Sequence, residues 1–199
     1  MAEYRLFEGD VPFVSTAEFH ADRERAPHLE QAFHQERMHR AAEFVRLVTD
    51  RAPLKERTVS DLGCGDGGLL SLLKGPGDIE AWGYDFCPAN EAGWVERGVS
   101  GEALDVFGSD WDDVDIGAVV VMTEVLEHLA DPHGVLRRIR DRGARFLVCS
   151  SPWNVRPGAH SAEHAWAWDL EGYAAMIEAA GWTITRHEQA GLFQVVLAK

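Results

Sequence analysis

The fold of this chain is decided by one stretch, Asp61-Leu62-Gly63-Cys64-Gly65-Asp66-Gly67-Gly68. It follows an apolar approach and precedes a leucine-rich run with helical spacing, which predicts a strand-to-helix turn. Glycines at such a turn let the backbone approach a ligand closely, because no Cβ intervenes. The turn also carries two carboxylates, Asp61 and Asp66, which would repel a phosphate. We therefore expect a ligand that presents a cation, such as an ammonium or a sulfonium.

Length, composition and charge narrow the class of protein. A chain of 199 residues with 46% hydrophobic and 26% charged residues predicts one globular domain. We expect no membrane segment and no signal peptide, and three scattered cysteines favour a reducing, cytoplasmic setting. The net charge of −14 argues against broad nucleic-acid binding, which needs a basic face.

Short apolar runs alternate with helical stretches from residue 58 onward. The predicted strands are 58–62, 79–84, 101–106, 116–122, 146–150, 183–188 and 193–198, and the predicted helices are 31–52, 67–74, 88–97, 124–142 and 169–180. Residues 1–30 are predicted to be irregular. Such alternation implies crossover connections and a mostly parallel sheet, whereas the short turn 189–191 makes the final strand antiparallel. The predicted fold is α/β, a Rossmann-like doubly wound sheet of seven strands.

Two acidic residues follow predicted strands at the sheet edge where ligands bind in such folds. Asp85 lies 20 residues beyond Gly65 and can accept hydrogen bonds from both hydroxyls of a ribose, or it can cap the helix that starts near Pro88. Asp105 follows the third predicted strand. It can accept from an adenine amino group, or it is an ordinary turn aspartate.

After the fourth strand, Glu124, Glu127 and His128 are spaced i, i+3 and i+4 and share one face of the predicted helix. Two carboxylates and an imidazole on one face can bind a divalent metal or hold a substrate proton. The alternative is that acidic residues favour the helix N-terminus and His128 is packed and hydrogen-bonded.

The loop after the fifth strand is long and rich in aromatic and histidine residues. Aromatic walls with a few polar groups describe a small-molecule pocket, and the alternative is a loop that buries its tryptophans over the sheet edge. The candidate substrate-binding residues here are Trp153, Asn154, His160, His164 and Trp166.

Together these residues resemble the class I S-adenosylmethionine-dependent methyltransferases from about residue 58 to the C-terminus. The glycine turn is similar to the first motif of that family, and Asp85 and Asp105 resemble its ribose- and adenine-binding acids. The run from Thr123 to Pro132 is similar to the fourth-strand motif of the ubiquinone-biosynthesis-like branch (methyltransferase types 11 and 12). The segment His164-Ala165-Trp166-Ala167-Trp168 also recurs in that branch.

The resemblance implies S-adenosylmethionine as cofactor and S-adenosylhomocysteine as product. It implies a seven-stranded sheet with a reversed last strand, with residues 1–56 as a helical lid or extension and 57–199 as the core. The cofactor-binding residues would be Asp61, Gly63, Cys64, Gly65, Gly67, Asp85, Phe86, Asp105, Val106, Thr123 and Arg37. Asp61 would hold the cofactor's ammonium in part through water, and Arg37 or Arg40 would pair with its carboxylate.

The implied reaction is an in-line transfer of the methyl group to a small-molecule acceptor, at oxygen, with His128 as base and Glu124 or Glu127 orienting it. No membrane or nucleic-acid partner is expected, and the oligomeric state is left open. A divalent metal held by these three residues and His164 is a disfavoured alternative, since many members share Glu-x-x-Glu-His without one.

Three other interpretations remain. The chain could be a metal-dependent methyltransferase of RNA 3′ ends at the 2′-oxygen, or a non-catalytic module that only binds S-adenosylmethionine. It could also be a nicotinamide dehydrogenase, because Gly63, Gly65 and Gly68 fit G-x-G-x-x-G. The two acidic residues of the turn count against that last reading.

Overall fold

The structure is a computed structural model that describes residues 2–7, 15–75, 78–105, 107–108 and 111–199. Its elements, in chain order, are β1 (Glu3–Arg5), α1 (Ala17–Ala21), α2 (Ala32–Thr49), β2 (Thr58–Leu62), α3 (Gly68–Leu73), β3 (Glu80–Asp85), α4 (Glu91–Arg97), β4 (Ser100–Ala103), β5 (Val119–Thr123), α5 (Pro132–Asp141), β6 (Phe146–Pro152), β7 (Trp166–Trp168), α6 (Leu170–Ala179), β8 (Ile184–Ala190) and β9 (Phe193–Ala198). Among these residues, no helix has the length and apolar character needed to cross a membrane.

A seven-stranded sheet has the order β4-β3-β2-β5-β6-β9-β8. Strands β2 to β6 run parallel to one another, and β9 is antiparallel to both β6 and β8. The predicted α/β fold with its reversed last strand is confirmed. The bounds of β2 and β9 match the sequence prediction, whereas β4 ends at Ala103, three residues before the predicted end.

The sheet is covered on both faces, and the central strand β5 is apolar over the four successive residues 119–122. Along β5, Val119 and Val121 pack with α2 and α3, whereas Val120 and Met122 pack with α5 and α6. Successive side chains of a strand point to opposite faces, so one uninterrupted apolar run supplies both cores. Helix α2 belongs to the first of these cores, since Met38, Ala41 and Val45 are buried against the sheet.

The predicted helix over 124–142 is wrong in its first third. Glu124 has a left-handed φ of 60°, and only a 3₁₀ turn, Leu126–His128, follows it. The helix proper, α5, starts at Pro132, whose missing N–H costs nothing at the first helical position. Asp131 caps it by accepting a hydrogen bond from the Gly134 N–H at 2.8 Å. The chain after β5 is therefore a tight loop.

The expectation that residues 1–30 are irregular is also wrong for three of their described stretches. Strand β1 pairs antiparallel with β7 in a separate two-stranded sheet. Helix α1 follows, capped by Thr16, and a 3₁₀ turn spans His28–Glu30. The pairing with β7 ties the N-terminal segment to the long loop after β6. The two segments that sequence reasoning treated as irregular thus organise each other.

Candidate functional site

The glycine turn joins β2 to α3 in a conformation that requires glycine. Gly63, Gly65 and Gly67 have φ values of 79°, 54° and 80°, a left-handed region that side chains disfavour. The N–H groups of Gly63 and Cys64 both donate to the carbonyl of Tyr84, at 2.8 and 3.0 Å. These bonds fix the turn on the end of β3, beside Asp85.

Asp85 organises the turn through its carboxylate. Oδ2 accepts from the Gly65 N–H at 2.9 Å, and Oδ1 accepts from the Cys87 N–H at 2.9 Å and the Asn90 amide at 3.1 Å. A carboxylate offers about four acceptor positions. Asp85 lines the cavity described below, so it retains capacity for a ligand hydroxyl.

The second acid of the turn, Asp66, does not offer the free negative charge that the sequence analysis expected it to offer a cationic ligand. Its Oδ2 lies 2.7 Å from Arg97 and 3.2 Å from Arg25, and the carboxylate is buried. Arg97 also pairs with Glu30 and Arg25 with Glu96. The charge of Asp66 is thus neutralised by protein groups, and the electrostatic argument for a cationic ligand rests on Asp61.

Asp61 is 1% exposed, and neither of its carboxylate oxygens has a hydrogen-bond partner among the residues that the structure describes. Burial raises its pKa to about 7, and the charge of Asp85 adds to the effect, whereas Arg37 opposes it. Arg37 is itself buried, with Nε and Nη1 unpartnered, and its guanidinium lies 5.1 Å from the ring centre of Phe193. These groups form a buried, incompletely paired charge cluster under the turn.

Glu124 and Glu127 extend this cluster from the loop after β5. Glu124 Oε1 accepts from the Ser150 hydroxyl at 2.9 Å, whereas neither carboxylate oxygen of Glu127 has a hydrogen bond of normal geometry with a described residue. Burial raises the pKa of both groups, and the Glu124 carboxylate raises that of Glu127 further. The charge of Arg37 opposes the rise in both.

His128 stands next to them among other imidazoles. Its ring centre is 4.9 Å from that of His164 and 5.4 Å from that of His20. Burial, followed by the charges of those two histidines, lowers its pKa to about 3, so the ring is neutral at physiological pH. One candidate ligand atom from each of Glu127, His128 and His164 can be chosen so that all lie within 4.8 Å of one another. This is a possible metal-binding set.

A cavity of about 530 Å³ joins these groups at the carboxyl ends of the strands. Of the predicted cofactor residues, the cavity is lined by Gly63, Cys64, Gly65, Asp85, Phe86, Asp105, Thr123 and Arg37. Asp61 and Gly67 are not among its lining residues, and Val106 is outside the described residues. Of the predicted catalytic residues, His128 and Glu124 line it, and Glu127 lies behind them.

Only one of the five predicted substrate-binding residues lines the cavity. His164 lines the cavity, but Trp153, Asn154, His160 and Trp166 do not. Trp166 is in β7, stacked on Trp168, and its indole N–H donates to the Leu129 carbonyl at 2.9 Å. Trp153 contacts the ring of His187, and the Gly158 N–H donates to His160 within the loop. The aromatic residues of this loop mainly build structure.

Sequence reasoning predicted a helical lid from residues 1–56 but did not name the residues that form the N-terminal wall of the cavity. It is lined by Ser15, Thr16, His20, Arg23, Glu24, Ala26, His28 and His34. The only signal was the density of histidines and arginines between residues 20 and 37, which carries no periodicity. Their convergence depends on the pairing of β1 with β7 and on the ion pair between Arg23 and Glu163 at 2.8 Å.

Solved structures share this architecture. The 1,6-didemethyltoxoflavin-N1-methyltransferase of Burkholderia thailandensis has a TM-score of 0.64 at 18% identity, covering 85% of this chain and 78% of its own. Magnesium protoporphyrin IX methyltransferase of Synechocystis PCC 6803 has 0.64 at 14%, covering 88% and 85%. The methyltransferase domain of bacterial CtHen1-CN has 0.61 at 18%, covering 84% and 99%. At these identities the likeness shows the fold.

The fold alone does not assign the chain to a protein family, but a match to a family model does. Among curated proteins, none matches this chain. The model described as a methyltransferase domain matches residues 32–187, which is more than half of the chain. The match includes the glycine turn, the strand ends and the loop that carries His128. The predicted family is confirmed: the chain belongs to the methyltransferase domain family, the class I S-adenosylmethionine-dependent methyltransferases.

Proposed function

We propose that this methyltransferase moves the methyl group of S-adenosylmethionine to an acidic hydroxyl of a small molecule. The observation that carries the proposal is a neutral His128 on the wall of a cavity of about 530 Å³, a volume typical of small-molecule sites. The net charge of −14 supports a small acceptor over a nucleic acid.

The cofactor arrangement in this proposal follows the cavity wall. The turn from Gly63 to Gly67 would contact the methionine part of S-adenosylmethionine, and Arg37 would pair with its carboxylate. Asp85 would accept from the ribose hydroxyls, and Asp105 from the adenine amino group. Support comes from the cavity, which is continuous from Arg37 past Gly65 to Asp105.

The reaction requires alignment and the removal of one proton. A lone pair of the acceptor oxygen forms the C–O bond while the C–S bond breaks, and its electron pair stays on sulfur as S-adenosylhomocysteine. The hydroxyl proton goes to the free nitrogen of His128. A neutral amine attacks through its own lone pair and needs no base beforehand, so a neutral imidazole at the site favours an oxygen acceptor.

The low pKa of His128 also bears on which hydroxyl is used. A base with a pKa of about 3 cannot remove a proton from an aliphatic alcohol at a useful rate. A phenol, an enol or a carboxylic acid that is still protonated in the site gives up its proton far more easily. The proposed acceptor therefore carries one of these groups.

The experiment supplies ¹³C-methyl S-adenosylmethionine to the enzyme with a small-molecule cell extract, total RNA or a protein fraction. We expect labelled methyl ethers or esters from the small molecules, recognised by carbon chemical shift. His128→Ala should lower turnover by about 10²–10⁴ with cofactor affinity nearly intact. His160→Ala, a loop histidine outside the cavity, is the control. Label on nitrogen, or unchanged turnover in His128→Ala, contradicts the proposal.

A second candidate is metal-assisted transfer, favoured by the set of Glu127, His128 and His164. Neutral imidazoles and a carboxylate without donors are suitable ligands for a divalent cation, which would polarise the acceptor oxygen as a Lewis acid. This is also the site that a metal-dependent RNA methyltransferase would need, although the charge of the chain opposes RNA binding. Elemental analysis of protein purified without chelator tests it, with His164→Ala as the variant that should lose the metal. Metal-free protein that is indifferent to Mg²⁺, Mn²⁺ and EDTA excludes this candidate.

A further inference from the structure

Ser15 is the one residue of the N-terminal segment that bonds directly to His128 among the residues described. Its hydroxyl oxygen lies 2.6 Å from the carbonyl oxygen of Glu163, 3.0 Å from His20 Nε2 and 3.1 Å from His128 Nδ1. Ser15 is buried. The three contacts exhaust the bonds that one hydroxyl can make, which are one donated and two accepted.

The direction of each bond follows from its partners. A carbonyl oxygen can only accept, so the Ser15 hydrogen points at Glu163 over the shortest of the three distances. The two lone pairs of Ser15 must then accept from the imidazoles. His20 Nε2 and His128 Nδ1 therefore both carry hydrogen.

A second contact leads independently to the same assignment for His128. Its Nδ1 is also 3.2 Å from the Glu163 carbonyl, which again requires an N–H on that nitrogen. A neutral imidazole carries one hydrogen, so Nε2 of His128 keeps a bare lone pair. Nε2 has no hydrogen bond recorded with any described residue, and His128 lines the cavity.

The fold delivers Ser15 to this position with two anchors. The Arg23 guanidinium pairs with the carboxylate of Glu163 at 2.8 Å, and the Cys87 thiol donates to the Arg23 carbonyl at 3.2 Å. Glu163 thus holds the N-terminal segment with its side chain and orients Ser15 and His128 with its backbone. The site is complete only with this segment in place.

We infer that Ser15 is a positioning residue that fixes His128 in the Nδ1–H tautomer and presents the Nε2 lone pair to the cavity. The hydrogen on Nδ1 follows from hydrogen-bond geometry, and the bare Nε2 follows from the neutral state of the ring. Its use in methyl transfer rests on the proposed function, where Nε2 receives the acceptor proton. A fixed tautomer matters because the alternative one would present an N–H to that proton.

The test measures the tautomer without cofactor or acceptor. Long-range ¹H–¹⁵N correlation spectra of the imidazole rings at pH 7 should show Nδ1 of His128 as pyrrole-type and Nε2 as pyridine-type, with His128→Gln used for assignment. The matched variants are Ser15→Thr and Ser15→Val, which have the same shape and differ in the hydroxyl. Ser15→Thr should keep the spectrum. Ser15→Val leaves Nδ1 only the 3.2 Å contact with the Glu163 carbonyl, so it should admit a measurable share of the other tautomer.

Kinetics separate the inference from the proposed function. Ser15→Val should lower kcat by at least about tenfold, with KM for S-adenosylmethionine unchanged, and Ser15→Thr should restore it. A wild-type spectrum with pyrrole-type Nε2, or a Ser15→Val spectrum identical to wild type, overturns the inference. Mixed tautomers with unchanged kcat leave the inference standing and refute the role of His128 as base.

Discussion

Replacing Asp61 by asparagine should stabilise the folded protein at neutral and alkaline pH. The carboxylate is 1% exposed and has no hydrogen-bond donor on either oxygen, so its charge is hardly compensated inside the protein. Asparagine has nearly the same shape, and its amide also leaves buried polar atoms at this position. The substitution therefore isolates the cost of the charge.

The magnitude follows from the pKa. Burial, with a contribution from Asp85, raises the pKa of Asp61 from 3.8 to about 7. Because the folded state holds this proton more tightly than the unfolded chain, stability is lost as pH rises from about 3.8 to about 7. A difference of about three pKa units at 1.36 kcal/mol each is about 4 kcal/mol. The variant should equal wild type near pH 4 and exceed it by up to about 4 kcal/mol at pH 8.

Urea unfolding of the two proteins without cofactor, at intervals from pH 4 to pH 8, is the measurement. The profile of wild type alone is not diagnostic, because burial lowers the pKa of His28, His34 and His128 and these groups favour folding as pH rises. They are common to both proteins and cancel in the difference. A difference that is flat from pH 4 to pH 8, or a variant less stable than wild type at pH 8, refutes the reasoning.

Two further predictions concern the glycine turn. Arg97 is more deeply buried against Asp66 than Arg25 is, with side-chain exposures of 10% and 26%. We expect Arg97→Met to cost about 2 kcal/mol of unfolding free energy and Arg25→Met about 1 kcal/mol or less, measured by urea unfolding; equal costs would contradict this. Asp85→Asn places an amide donor against N–H groups, including that of Gly65, that now donate hydrogen bonds to the carboxylate. The affinity for S-adenosylmethionine measured by calorimetry should therefore fall at least tenfold, about 1.4 kcal/mol. Unchanged affinity would remove Asp85 from the cofactor site.

The sequence predicted the central sheet well because its strands are buried on both faces. Uninterrupted apolar runs, as in β5 and β6, mark such strands directly, and the short turn before β9 set its direction. Strand β1 was missed because three residues carry no measurable period, and its pairing with β7 exists only in the folded chain. Helix α5 begins at Pro132, but the sequence prediction began it at residue 124. The i, i+3, i+4 spacing of Glu124, Glu127 and His128 favoured a helix there and outweighed the proline, which is typical of a first helical position.

Some residues of the candidate site could likewise be predicted from the sequence, and others could not. Asp85 and His128 were found because each follows a strand and therefore lies at the edge where parallel strands end. Ser15 and His20 come from a segment more than 100 residues earlier than His128, and nothing local links them to it. Asp66 was misjudged because the chain neutralises it with arginines from two distant elements, a tertiary pairing that spacing does not reveal.

The unpaired charges beneath the turn are better understood as a requirement of binding than as a fault of packing. Three carboxylates, those of Asp61, Glu124 and Glu127, act on the guanidinium of Arg37, and those of Asp61 and Glu127 are buried. Among the described residues, negative groups therefore outnumber positive ones here. S-adenosylmethionine carries an ammonium and a sulfonium against one carboxylate, and thus brings a net positive charge. A site that compensated its own carboxylates fully would be more stable when empty and would gain less when the cofactor arrives. The stability that Asp61 costs the empty protein is therefore of the kind that a cationic ligand can restore.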